Sequence, residues 1–137
     1  HIENRLKELQ HRFSINFALD LGYKEYLSHQ IYASADFLLM PSRVEPCGLN
    51  QMYSMRYGTI PMVRYTGGLR DTVQDISTGG SGINFTNAGA EDAVHAIKRA
   101  LHIYSQKDLM KGLIYNNMSF DFSWEKSAHN YTQLYHY

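Results

Sequence analysis

The sequence predicts an α/β chain, a parallel sheet with helices packed against it. Three observations carry that expectation. Phe37-Leu-Leu-Met40 is a short, unbroken, uncharged apolar run, the pattern of a strand buried on both faces. A segment of good helix formers follows, opening at Gly48 and closing at Gly58. Two more short apolar runs, Ile60–Val63 and Ile83–Phe85, each lead on to further helical pattern. Strands that alternate with helices build parallel sheets.

In chain order, Ile2–Phe13 reads as a charged amphipathic helix with Leu6, Leu9 and Phe13 on one face. Ser14–Leu19 alternates apolar and polar and is expected as a strand, with residues 20–23 as the turn after it. Lys24–Ala33 is expected to be helical and to bury Tyr26, Leu27 and Ile31. The central strand, a charged turn and the helix from Gly48 come next. Ile60–Val63 tolerates Pro61 near its start. Thr66-Gly67-Gly68 reads as a turn, Ser77–Gly82 as a flexible loop and Ile83–Phe85 as a brief strand. Three helices finish the chain. Glu91 and Asp92 suit the first turn of one, whose expected buried face is Val94, Ile97, Leu101 and Tyr104. Asp108 is the expected N-cap of the second and Ser123 of the third. Trp124, Ala128, Tyr131 and Tyr135 share a face of that last helix, a stripe expected to dock.

Composition removes several function classes. The 137 residues suit one domain, and 44% hydrophobic residues supply a core. Thirteen Lys and Arg balance 13 Asp and Glu, which argues against nucleic acid or an anionic membrane as the main partner. No apolar run approaches the roughly 18–20 residues of a membrane span, and no signal peptide is visible. Cys47 is the single cysteine and can form no internal disulfide, which fits a reducing cytosol. The histidines show no ligand-like spacing, so no metal site is expected. Asn84, Asn117 and Asn130 match the glycosylation pattern and read as chance matches.

The chemistry concentrates on the turn after Phe37–Met40. Ligands of open α/β sheets bind at the carboxyl ends of strands. A helix N-terminus there offers unpaired N–H groups to a phosphate, and Gly48 permits close backbone approach. Glu45, between Arg43 and that helix end, is expected to stay ionised and to accept hydrogen bonds from sugar hydroxyls. An exposed turn carboxylate paired with Arg43 is the plain alternative.

Pro41-Ser-Arg-x-Glu-Pro-Cys-Gly-Leu-x-Gln, then Arg56-Tyr-Gly-Thr-Ile-Pro61, then Thr66-Gly-Gly-Leu-x-Asp-Thr-Val73, resemble bacterial glycogen synthases and plant starch synthases. The resemblance runs from about Gly22 to the end of the chain, and three ordered blocks make it specific. It implies a partial Rossmann-like parallel sheet, the C-terminal, donor-nucleotide-binding portion of the two-domain glycosyltransferase-B fold. On that view residues 1–137 are a single incomplete domain, lacking two preceding strand–helix units and a whole N-terminal domain. The implied order 3-2-1-4-5-6 makes Ser14–Leu19 strand three and Phe37–Met40 strand four. Strand four then has a bare edge, to be covered either by Ser14–Leu19 or by another copy of the chain.

The resemblance also assigns roles. Glu45 would hold the donor glucose, as the catalytic residue of this chain. Arg43 and the backbone of Cys47 would line the site, and the N–H groups of Gly48, Leu49 and Asn50 would meet the distal phosphate. Tyr23 would stack on adenine. Tyr53 stands where many relatives of the fold place a ribose-binding Glu, with core packing beside Met52 as its rival role. Thr66, Gly67 and Gly68 would line the cleft near sugar and phosphates, a plain tight turn being the alternative. Val44 departs from the Phe or Tyr common there.

The implied activity is retaining transfer of glucose from ADP-glucose to an α-1,4-glucan, with no cofactor, in the cytoplasm or, for a plant protein, the plastid. The chain alone is expected to be inactive. Two rival readings remain: a related transferase using UDP-glucose, and a non-catalytic nucleotide- or glucan-binding module.

Overall fold

The computed structural model describes residues 1–135. The order is α1 (Ile2–Arg12), α2 (Glu25–Ser34), β1 (Phe37–Met40), α3 (Asn50–Arg56), β2 (Ile60–Arg64), α4 (Gly67–Thr72), β3 (Ile83–Phe85), α5 (Ala90–Ser105), α6 (Lys107–Ser119) and α7 (Trp124–Leu134). A 3-10 turn, Ile76–Thr78, precedes β3. The sheet is parallel with order β1-β2-β3. Phe37 aligns with Ile60, and Met62 with Ile83.

The central strand shows why the sheet is covered on both faces. Successive β2 side chains point to opposite sides. Ile60 and Met62 pack with Ile83 and Phe85 against Ala96, Ala100 and Ile103 of α5 and Met110 and Leu113 of α6. Val63 packs with Met40 against Met55 of α3 and with Leu69 and Val73 around α4. Ile60, Val63, Leu69 and Ile83 have no exposed surface, and each contributes about 1.5–3 kcal/mol by burial. Thr59 bolts the end of α2 to the start of β2, its one hydroxyl proton shared between the Tyr32 and Ala35 carbonyls.

Several expectations need correction. Ser14–Leu19 is not a strand. Residues 14–16 are turn, Asn16 and Phe17 N–H both donate to the Phe13 carbonyl, and Ile15 is 95% exposed. A strand exists only through its ladder, and no strand lies beside this segment. Nor does it move in beside β1, which pairs with β2 alone. Leu39 is accordingly exposed rather than buried on both faces. Helix α2 buries Tyr32, leaving Tyr26 and Ile31 exposed. Helix α5 turns Ala96, Ala100 and Ile103 inward and leaves Val94, Ile97, Leu101 and Tyr104 on its outer side. Thr66-Gly67-Gly68 is the start of α4 rather than a free turn, with Thr66 as N-cap. The N-cap of α6 is Gln106, which places Asp108 in the first turn. Ser123 caps α7 as expected, accepting from the Lys126 N–H. The stripe Trp124, Tyr131 and Tyr135 is exposed on the described chain.

Candidate functional site

Two loops leave the carboxyl ends of β1 and β2 and lock together. The first, residues 41–49, carries Glu45; the second, residues 65–66, leads into α4. Gly68 N–H donates to the Glu45 carbonyl over 3.0 Å. The contact is closer than any side chain allows. A Cβ on Gly67 would lie 1.9 Å from the Glu45 carbonyl oxygen, and one on Gly68 would lie 2.3 Å from that of Cys47. Both obstacles are backbone, so nothing can swing aside. The two glycines at this position are what allow the second loop to sit under the first.

Glu45 is half-buried, and its carboxylate accepts from the Ser42 hydroxyl over 3.1 Å. It makes no ion pair with Arg43, so the plain alternative of a carboxylate paired with Arg43 is not what forms. Arg43 is exposed and offers its carbonyl instead, to Arg64 at the end of β2. An exposed ion pair gains little against the entropy of a long side chain. Arg64 was not singled out from sequence. Its guanidinium donates to the carbonyls of Ser42 (3.2 Å), Arg43 (2.7 Å) and Thr86 (3.2 Å), clamping the loop after β1 to the loop after β3.

Gly48 bends the first loop into α3 with φ +76°, in the left-handed region that favours glycine. The helix starts two residues later, at Asn50, with Leu49 as an N-cap that supplies no side-chain bond. Leu49 and Asn50 are exposed at this helix start. Beneath it lies Gln51, fully buried, whose amide donates to the carbonyl of Gly48 over 2.9 Å and to the Thr72 hydroxyl over 3.0 Å. Gln51 was likewise missed as a site residue. Its partner Thr72 is 21 positions away, a pairing invisible to local pattern.

The aromatic candidates gather around Tyr32. Tyr53 is 45% exposed, with its ring 6.2 Å from that of Tyr32 and 6.4 Å from His29. Tyr57 stacks on Tyr32 as well, and its hydroxyl meets His29 Nδ1 at 3.0 Å. Burial pushes the Tyr32 phenol up, and neighbouring Tyr23 and Tyr53 push it further. Tyr23 itself is 83% exposed, an open ring face. So Glu45, Cys47, Gly48, Gly67 and Gly68 come together, while Tyr53 belongs to an aromatic group between α2 and α3 and Tyr23 stands exposed before α2.

The site is an open ledge at the strand ends. Among the described residues no group of three or more His, Cys, Asp or Glu gathers to hold a metal ion, and no helix is long and apolar enough to cross a membrane. Asn117 is buried and donates to the Ser81 carbonyl, and Asn84 donates to that of Val73, so neither side chain is presented for glycosylation.

Comparison with known proteins places this geometry. The family model described as glycosyl transferases group 1 matches residues 2–118. The chain is 48% identical over 134 residues to the glycogen synthase of Flavobacterium johnsoniae, covering 98% of this chain and 28% of that protein. It is 51% identical over 118 residues to the glycogen synthase of Anoxybacillus flavithermus, covering 84% and 24%. Among solved structures it resembles the catalytic domain of starch synthase IV from Arabidopsis thaliana bound to ADP and acarbose. That match has TM-score 0.87 and 41% identity, over 98% of this chain and 29% of the other. A sucrose-phosphate synthase from Thermosynechococcus elongatus shares the fold at TM-score 0.70 and 24% identity, covering 97% and 33%. The chain thus spans about a quarter of the length of the curated relatives. The three parallel strands flanked by helices match the glycosyltransferase-B architecture expected from the sequence. Over most of its length, in sequence and in fold, this chain belongs to the group 1 glycosyl transferases.

Proposed function

We propose that the protein carrying this chain is a retaining glucosyltransferase that moves glucose from ADP-glucose to the end of an α-1,4-glucan. This chain supplies part of its donor site. The observation that carries the reading is the 41%-identical likeness, over 98% of the chain, to a starch synthase domain bound to ADP and acarbose. The interlocked loops add a physical reason. They hold a half-buried carboxylate in a fixed place at the strand ends, where ligands of such sheets bind.

In the reaction, positive charge develops on the sugar and negative charge on the departing diphosphate. Backbone N–H groups of Gly48, Leu49 and Asn50 face the diphosphate and stabilise it as it leaves, in a fixed geometry that needs no reorganisation. Glu45 accepts hydrogen bonds from the donor glucose and orients it, with Ser42 holding the carboxylate from behind. Tyr23 stacks on the base and Tyr53 stands at the ribose. Arg43, Cys47 and Thr66 line the ledge, and Gly67 and Gly68 let the two loops beneath the sugar close on each other. No cofactor takes part; ADP-glucose is a substrate.

The test uses the full-length enzyme with labelled ADP-glucose or UDP-glucose and a maltooligosaccharide acceptor. Transfer from ADP-glucose is expected, with Glu45→Gln lowering kcat far more than it weakens binding of ADP, which lacks the sugar. Transfer from UDP-glucose alone replaces the donor. Absence of transfer from both leaves a non-catalytic module. Equal losses of turnover and ADP affinity remove Glu45 from the sugar.

A further inference from the structure

We propose that Gln51 and Thr72 are a positioning pair that sets the register between the Glu45 loop and helix α4. Gln51 is fully buried and Thr72 half-buried. Their hydrogen bonds close a circuit. Gly68 N–H donates to the Glu45 carbonyl (3.0 Å). The Thr72 hydroxyl donates to the Gly68 carbonyl (2.8 Å). Its oxygen then accepts from Gln51 Nε2 (3.0 Å). The same Nε2 returns to the first loop, at the carbonyls of Gly48 (2.9 Å) and Cys47 (3.3 Å).

The chemistry fixes which way the amide points. Thr72 spends its one proton on Gly68, so towards Gln51 it can only accept. The Cys47 and Gly48 carbonyls also only accept. All three partners need a donor, so the NH2 end faces them and Oε1 faces away. Gln51 Oε1 is left buried and unpaired, 2.7 Å from where a Cβ on Gly48 would stand. A buried acceptor without a partner is costly. Its retention fits a residue placed for where its donor end reaches.

The circuit ties Glu45 to the glycines opposite it. Gly67 and Gly68 pack against the carbonyls of Glu45 and Cys47 too closely for either loop to slide alone. Release of the Thr72 end frees α4 to retreat, and the Glu45 carboxylate loses its alignment with the donor. The inference therefore rests on the assignment of Glu45 to the sugar. Gln51 and Thr72 act through the loop and touch no substrate.

Thr72→Val keeps the shape and removes the hydroxyl, and Thr72→Ser restores it. In the full-length enzyme Thr72→Val is expected to lower kcat by about 10- to 100-fold, the scale of a small misplacement of a reacting group, with ADP affinity changed less than about threefold. Thr72→Ser should return to within about threefold of the parent. Amide exchange at Gly68 should quicken by roughly tenfold in the Val variant and recover in the Ser variant, because that N–H reports the Glu45 bond itself. Unchanged turnover in soluble Thr72→Val overturns the proposal, as does a Ser variant no better than Val. If the parent transfers no glucose, the functional reading fails on its own. The Gly68 exchange rate then still decides the circuit, and unaltered exchange in Thr72→Val rejects it.

Discussion

Gly68→Ala is the sharpest perturbation available, because its effect can be worked out before it is made. Gly68 has no left-handed φ, so alanine meets no backbone strain there. The whole effect is steric. The new methyl would stand 2.3 Å from the Cys47 oxygen, 2.6 Å from its Cα and 2.8 Å from its carbonyl carbon. Ordinary contact begins near 3.4 Å, so the Cys47 carbonyl must withdraw by about 1 Å. Overpacking of this kind costs about 1–3 kcal/mol. The movement also stretches the Gly68–Glu45 bond and turns Glu45 with the loop. A misplacement of about 1 Å in a reacting constellation costs on the order of 100-fold in rate. Full-length Gly68→Ala should therefore melt a few degrees below the parent and transfer glucose about 100-fold more slowly. Circular dichroism should show the helices retained. A variant that melts with the parent and transfers within twofold of it would refute the close packing, and with it the claim that the two loops move as one.

Four other outcomes follow from the same structure. Gly112→Ala, in the middle of α6 with open space around the added methyl, should stabilise by about 0.5–1 kcal/mol, visible as a raised unfolding midpoint. Burial by itself raises the Asp75 carboxyl, but bonds from Arg99 (2.6 Å), the Asn84 N–H (2.7 Å) and Ser77 (2.7 Å and 3.0 Å) prevail and hold it well below the usual carboxylate range. Its folded pKa being depressed, the stability it contributes is present above the unfolded value, about 4, and is lost as pH falls below it. Asp75→Asn should flatten that acid limb of a stability-against-pH curve, and Arg99→Ala should cost about 1–3 kcal/mol at neutral pH. Tyr23→Ala should weaken ADP binding by about 1–3 kcal/mol in calorimetry, and an unchanged dissociation constant removes Tyr23 from the site.

What could be read from the sequence divides along a physical line. The three strands were legible because a short apolar run between breakers has few other uses, and Phe37–Met40, Ile60–Arg64 and Ile83–Phe85 all formed. Ser14–Leu19 failed because alternation describes a strand only if a neighbour supplies its ladder, and here none does. Helix α5 carries two apolar faces. Residue size pointed to Val94, Ile97, Leu101 and Tyr104, yet the sheet took Ala96, Ala100 and Ile103. Small alanines let a helix approach β3 closely, a gain that hydrophobicity counted residue by residue does not register. Tyr32 in place of Tyr26 on α2 is the same error of choosing a face.

At the site the division is between backbone and side chain. The glycines announced themselves, since Gly48, Gly67 and Gly68 stand where a Cβ is strained or cannot fit. Glu45 was singled out through the residues around it, and it lies half-buried beside these glycines. The polar residues that fix these parts in place were not. Arg64 serves carbonyls on two other loops, and Gln51 reaches a hydroxyl on the next helix. Their type says only that they can donate, and their acceptors are main-chain carbonyls, which every position has. No local pattern separates such an arginine or glutamine from one that merely faces water; only burial does. The Arg43–Glu45 pair erred in the opposite direction, because proximity in sequence suggested a partner that an exposed arginine has no need to keep. Side chains that bind to backbone thus carry much of the arrangement of this ledge, and they are the part of it that a motif conceals.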